Sequence, residues 1–244
     1  AYKEVCSLAG LTLVALDIES MSLGRALLSL AETKSWLDAL EDEARRKAST
    51  MIIDSGARTT TISIFDYNHI LMMSVNIPIA GERFTEAIQE KLGVSAKEAE
   101  ELKRKFGFDG TKGEGRVFSV LQAEFQKILE ELKTITQYYE RKRGERIERV
   151  ILAGGSSLLP KIDDYIGVNI EKEVMLGDPM LKVRDGNVFG EKISPLLFAD
   201  VIGLALRGIV KNPEKEGINL LPEGERGFVA SVRKEEPQIP HLDL

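Results

Sequence analysis

Two apolar stretches, Met51-Ile52-Ile53 and Val150-Ile151-Leu152, each run straight into a turn of small residues, Asp54-Ser55-Gly56-Ala57 after the first and Ala153-Gly154-Gly155-Ser156-Ser157 after the second. Strands that break off at such turns restrict the chain to folds in which bare backbone can lie close to another group. Between the two turns the pattern changes period. Residues 60–65 alternate, with Ile62 and Ile64 on one face, as a strand does. Asp66-Tyr67-Asn68 then turns the chain back into 70–75 as a hairpin. Helical spacing follows over 83–92 (Phe84, Ile88, Leu92), 96–106 and 117–139, the last with Leu121, Phe125, Ile128, Leu132 and Ile135 on one face. Residues 107–115 interrupt the second and third of these helices. The charge run 140–149 reads as a solvated loop, and Pro160 as the tolerated first turn of another helix. Upstream, 11–18 reads as an apolar strand, 20 onward as a helix with Leu23, Leu27 and Leu30 in register, and 36–48 as a charged helix or linker. Mixed strands and helices of this kind predict an α/β core.

Composition narrows the function classes. The 244 residues are 43% hydrophobic, enough for one large domain or two smaller ones. A net charge of -6 argues against a general nucleic-acid or anionic-membrane surface, which Lys and Arg would have to supply. The single cysteine, Cys6, excludes an internal disulfide and fits a reducing compartment. The most apolar stretch, 195–210, carries Asp200 and Arg207 and falls short of the roughly 20 residues a bilayer span needs. It reads as a buried helix. Two histidines, His69 and His241, sit in a hairpin and near the chain end, where neither supplies a positioned base. The chain opens on Ala1-Tyr2-Lys3-Glu4 as if within a helix, so an N-terminal part is expected to be missing.

Three segments carry candidate chemistry. In Asp54-Ser55-Gly56-Ala57, small residues let backbone N–H groups face phosphate oxygens, Asp54 could hold Mg²⁺ through water, and Thr59 and Thr60 could add hydroxyls. An ordinary hairpin turn would use the same residue types. Glu100 and Lys103, three apart on a predicted helix, share a face and could serve ribose hydroxyls as acceptor and donor, or could be a plain surface ion pair. Gly154 and Gly155 would let the backbone lie flat against a base. A simple strand-to-helix turn capped by Ser156 or Ser157 is the alternative.

The order and spacing of the three segments resemble domain II of the actin-like (ribonuclease H-like) ATPases. Within that superfamily the chain resembles the PilM proteins of type IV pilus assembly, and more distantly the FtsA division proteins. The resemblance is carried by 51–60, 79–88, Ala99-Glu100-Glu101-Leu102-Lys103 and 151–160, with Tyr138-Tyr139, Gly177-Asp178-Pro179 and 202–208 favouring the pilus family. It implies that 1–48 is the end of domain I, that 49–194 is domain II with a subdomain insertion at about 84–145, that 195–210 returns to domain I, and that 211–244 is a tail. It implies ATP and Mg²⁺ as ligands. Their expected contacts are Asp54, Ser55, Gly56, Ala57, Thr59, Thr60, Gly81, Glu100, Lys103, Gly154, Gly155, Ser156 and Ser157, with Asp54 at the metal. Glu19 falls where such proteins place a residue that orients the hydrolytic water, and the family implies little turnover. Ala80 replaces the first of two glycines usual in the family and is expected to crowd the phosphate side.

The resemblance further implies a cytoplasmic scaffold peripheral to the inner membrane. It would contact the membrane only through partners, chiefly the N-terminal peptide of a PilN-type membrane protein, with other pilus assembly proteins and self-association as further contacts. Ile218-Asn219-Leu220-Leu221-Pro222 resembles that PilN motif, and equally reads as an apolar anchor that docks on the body. Two other readings share part of the pattern: a membrane-tethered filament protein of the division type, and an actin-fold small-molecule kinase, which would need a positioned base.

Overall fold

The computed structural model describes residues 1–29, 47–183 and 193–223. Its centre is a five-stranded sheet of β1 (Ala48–Ser55), β2 (Thr60–Phe65), β3 (Leu71–Ile77), β4 (Arg146–Ala153) and β5 (Glu173–Leu176), in the order β3-β2-β1-β4-β5. β1, β2 and β3 form an antiparallel meander, whereas β4 runs parallel to β1 and β5 parallel to β4. The helices are α1 (Tyr2–Leu8), α2 (Glu19–Leu27), α3 (Gly81–Leu92), α4 (Ala96–Phe106), α5 (Arg116–Arg143), α6 (Ile162–Ile170) and α7 (Ala199–Gly208).

The two-residue period of the strands divides the core. Met51, Ile53, Ile62, Ile64, Val150 and Leu152 face a large cluster that includes Phe84 and Ile88 of α3, Leu121, Phe125, Ile128 and Leu132 of α5, and Ile166 of α6. Ile52, Phe65, Ile151 and Ala153 point the other way, onto Leu23 and Leu27 of α2 and Ala199 of α7. Both faces of the central strands are therefore covered, and β1 and β2 are buried along their whole length, the polar Thr60, Thr61 and Ser63 included. Phe125 anchors the first face, edge-on to Phe108 at 5.2 Å and to Tyr165 at 5.9 Å. α7 returns to pack on α2.

Four expectations about elements are corrected. Residues 11–18 form no strand, because a strand needs a partner backbone ladder: Leu16 is tied to 219–220, its N–H donating to Asn219 Oδ1 and its carbonyl accepting from Leu220 N–H, but no ladder forms. The charge run 140–149 is not a loop. α5 continues to Arg143, stops at Gly144 in the left-handed region (φ 67°), and β4 begins at Arg146. Its charges are used in place: Glu140 accepts from Ile147 N–H and pairs with Lys172, and Glu145 bonds Tyr139 and Ser49. Pro160 lies ahead of α6, where its carbonyl accepts from Phe108 N–H at 2.7 Å. The stretch 195–210 is a 3₁₀ turn, Pro195–Phe198, followed by α7. Leu30 and most of the charged stretch 36–48 lie outside the described residues, as does the chain after 223; Ala48 itself begins β1.

Candidate functional site

The parallel register that sets Asp54 opposite Ala153 brings the ends of β1 and β4 side by side, so both small-residue turns emerge at one edge of the sheet. A third segment joins them at the start of α3. The carbonyl of Gly56 accepts from Gly81 N–H at 3.2 Å and from Ser156 Oγ at 3.1 Å, and Glu82 N–H donates to Ala57 O at 2.7 Å. Pieces far apart in sequence are thus tied at one carbonyl. The close approach requires glycine at 154 and leaves little room at 81. A Cβ on Gly154 would stand 2.3 Å from Asp54 Oδ1 and 2.5 Å from Ser55 O, and its φ of 79° already favours glycine. A Cβ on Gly81 would meet Ser156 Oγ at 3.0 Å.

Beside this knot lies a cavity of about 510 Å³, within the usual range for small-molecule sites. Its walls include Gly56 and Ala57, Gly81 and Thr85 of α3, Glu100 and Lys103 of α4, and Gly155 and Ser156. Lys103 is buried, and three acceptors hold its ammonium: Gly81 O at 2.8 Å, Thr85 Oγ1 at 2.7 Å and Glu100 Oε2 at 2.6 Å. Arg104 binds the other oxygen of Glu100 at 2.7 Å. Burial alone would raise the Glu100 carboxyl, but the hydrogen bonds from Lys103, Thr85 and Arg104 outweigh it and hold the group down to about 2. The cavity therefore presents a permanently ionised acceptor beside a buried cation.

A second feature lies at Asp54. Its carboxylate, that of Glu19 at the start of α2 and that of Asp200 in the first turn of α7 each offer an oxygen, all within 4.8 Å of one another. Burial, then repulsion from Glu19, raises the Asp54 carboxyl to about 6, and burial followed by repulsion from Asp54 and Glu19 raises Asp200 also. Among the described residues no cation lowers the Asp54 or Asp200 carboxyl, and an all-oxygen donor set of this kind is suited to a hard divalent cation that keeps part of its water shell, so the residues fit Mg²⁺.

Of the residues expected from sequence, Gly56, Ala57, Gly81, Glu100, Lys103, Gly155 and Ser156 line the cavity, and Asp54 and Glu19 meet in the acidic cluster. The remainder shape the turns. The Gly56 N–H closes the hairpin by donating to Thr59 O, so it is not directed at a ligand. Thr60 is fully buried, its hydroxyl donating to Ile79 O at 2.8 Å and bonded to Ser55 Oγ at 3.2 Å, so its expected ligand contact is replaced by a structural one. Thr59 is exposed, Ser157 Oγ donates to Gly154 O at 2.6 Å, and Gly154 lies against Asp54 behind the cavity wall. Ala80 is buried in an extended conformation open to any residue and does not line the cavity, contrary to the expected crowding.

Sequence reasoning missed Thr85, Asp200 and Leu197. Thr85 lay one helical turn past Gly81, a spacing that could have flagged it. Asp200 and Leu197 gave no local signal, since only the return of α7 brings them to the site.

The family model described as "Type IV pilus assembly protein PilM" matches residues 2–209. No curated protein matches the sequence. Among solved structures, a PilM-PilN type IV pilus biogenesis complex is similar at 22% identity and TM-score 0.66, covering 86% of this chain and 57% of that one. MreB5 of Spiroplasma citri bound to AMPPNP is similar at 17% identity and TM-score 0.57, covering 84% and 62%. The ethanolamine utilization protein EutJ from Carboxydothermus hydrogenoformans is similar at 18% and 0.55, covering 84% and 59%. The chain spans less than two thirds of the length of each. These likenesses show an actin-like fold. With the match running through nearly all of the described sheet and helices, the chain belongs to the PilM family of type IV pilus assembly proteins.

Proposed function

We propose that this chain holds ATP with Mg²⁺ at the cavity and acidic cluster, and that the bound nucleotide sets the conformation of a pilus-assembly scaffold that recruits a PilN-type membrane partner. The observation that carries the nucleotide reading is the Glu100-Lys103-Thr85 constellation facing Gly155 across one cavity, beside an uncompensated carboxylate cluster. Glu100 would accept from ribose hydroxyls, Lys103 would donate to one of them in exchange for one of the three acceptors it now holds, and the Gly155 backbone would bear on the base. Asp54 and Asp200 would hold the hydrated cation, and Glu19 would orient water for at most slow hydrolysis. Mg²⁺, when bound, would supply charge neutralisation at the phosphates.

The partner reading is supported by the family and by the solved PilM-PilN complex. No helix among the described residues is long and apolar enough to cross a membrane, so the proposed attachment runs through the partner. Calorimetric titration with Mg-ATP tests the nucleotide reading. Wild-type protein should give a saturable heat that Gly155→Trp abolishes, because the indole would fill the cavity where an added Cβ meets only Leu197 Cδ2 at 3.5 Å. Undiminished binding by the Trp variant would refute the placement.

A further inference from the structure

α7 and α2 both reach the proposed nucleotide site and the segment 213–221, α2 through Glu19 and through Met21, which an added Cβ on Gly217 would meet at 3.3 Å. Leu197, in the turn that leads into α7, lines the cavity over Gly155. Asp200, three residues on, enters the carboxylate cluster. At Gly203 an added Cβ would stand 2.0 Å from Ser22 O, so the backbones of α7 and α2 are in direct contact. Ser22 Oγ donates to Asp200 O at 2.6 Å and Arg25 Nη1 to Gly203 O at 3.0 Å, pinning the two helices together. α2 itself carries Glu19 to the same cluster, so the pair meets the site from both helices.

The far end of α7 holds a strap. Arg207, 3% exposed, pairs with Asp17 at 2.8 Å, donates from Nε to Pro213 O at 2.9 Å and from Nη1 to Ile218 O at 2.7 Å. Asn219 Oδ1 accepts from Leu16 and Leu221 N–H, and its amide donates to Glu214 O. Leu221 is buried. Arg207 Nη2 is buried with no hydrogen-bond partner, so the clamp does not satisfy its guanidinium fully in this arrangement. Residues 200, 203 and 207 lie on one face of the single continuous helix α7 (Ala199–Gly208), which places the cluster, the α2 contact and the strap along one side of it.

We infer that the α2–α7 pair couples the nucleotide site to the docking of residues 213–221, with a filled site tightening the strap. The inference rests on the proposed nucleotide reading. Three crowded carboxylates repel, and neutralising them favours the arrangement in which α2 and α7 sit closest to β1. Only that differential stabilisation can shift the equilibrium. Because coupling between two sites is reciprocal, loosening the strap must weaken nucleotide binding by the same factor that nucleotide tightens the strap.

Hydrogen exchange of the full chain with and without saturating Mg-ATP, paired with calorimetry, tests this. Amides of 218–221 should exchange roughly fivefold or more slowly with nucleotide. Asn219→Ala and Leu221→Ser, neither at the cavity, should each weaken Mg-ATP binding by a similar factor while keeping the far-ultraviolet spectrum of a folded chain. Mg-ATP binding with unchanged strap exchange and unchanged affinity in both variants would overturn the coupling alone. No Mg-ATP binding by the wild type would overturn the nucleotide reading and the coupling with it.

Discussion

Replacing Asp54 by Asn should stabilise the free protein at neutral pH while removing its cation affinity. Asp54 is 9% exposed, with Glu19 and Asp200 as near neighbours, and burial followed by repulsion from Glu19 raises its carboxyl from 3.8 to about 6. A raised carboxyl binds its proton more tightly in the folded state than in the unfolded one, so its contribution to stability is lost as pH rises from about 4 through about 6. The displacement corresponds to about 3 kcal/mol of penalty for the ionised form at pH 7.5. Part of that is repulsion shared with the other two carboxylates, so the gain on neutralising Asp54 should be about 1–3 kcal/mol. Asn keeps the shape and cannot ionise. Urea unfolding in metal-free buffer should show the variant more stable than wild type at pH 7.5 and equal to it at pH 4. Added Mg²⁺ should stabilise the wild type and leave the variant unmoved. A variant that is neutral or less stable at pH 7.5 would refute the idea that an uncompensated charge resides there.

Further predictions concern the knot, the buried lysine and the core. Gly154→Ala should cost roughly 2–4 kcal/mol in urea unfolding, from a strained φ and from contact with Asp54 and the Ser55 carbonyl, and a loss under 1 kcal/mol would show that the β1 and β4 ends are not locked together. Lys103→Met leaves Glu100 without its principal partner, so the Glu100 carboxyl should rise from about 2 toward the ordinary range in an NMR titration, with about 1–3 kcal/mol lost from stability; an unmoved carboxyl would assign its depression to Arg104 instead. Phe125→Ala removes the ring on which Phe84, Phe108 and Tyr165 converge and should lower stability by roughly 3–5 kcal/mol by the same assay, whereas a loss near 1 kcal/mol would mean that the cluster collapses to fill the space.

Much of the sheet and most of the cavity were legible in the sequence because their signals are local. The alternation at Ile62 and Ile64 gave a strand, the three-and-four spacing from Leu121 to Ile135 gave a long helix, and of the glycines at 56, 154 and 155 the one at 154 marked where backbone must come close, while 56 and 155 line the cavity. Signals that depend on a distant partner were harder to read. Residues 11–18 have strand composition, but composition does not supply a ladder. Thr60 has the residue type of a phosphate contact, yet hairpin geometry turns its hydroxyl onto Ile79 O. Glu140 and Glu145 seemed to mark a loop because their value lies in partners at 147, 172, 139 and 49, which only the packed chain reveals. Asp200 lies far from Asp54 in sequence, and no window of residues would have joined them. The tail pentapeptide carried two readings: Asn219 and Leu221 are buried, whereas its apolar Ile218 and Leu220 are exposed.

The central claim is that ATP occupies the cavity with its metal at the Asp54 cluster. A crystal structure of the chain with Mn²⁺ and a non-hydrolysable ATP analogue would test it, since manganese is located by its anomalous signal. The account predicts a peak within one water layer of Asp54 and Asp200, with the ribose hydroxyls on Glu100 and Lys103. A nucleotide bound elsewhere, or a metal peak remote from Asp54, would contradict it.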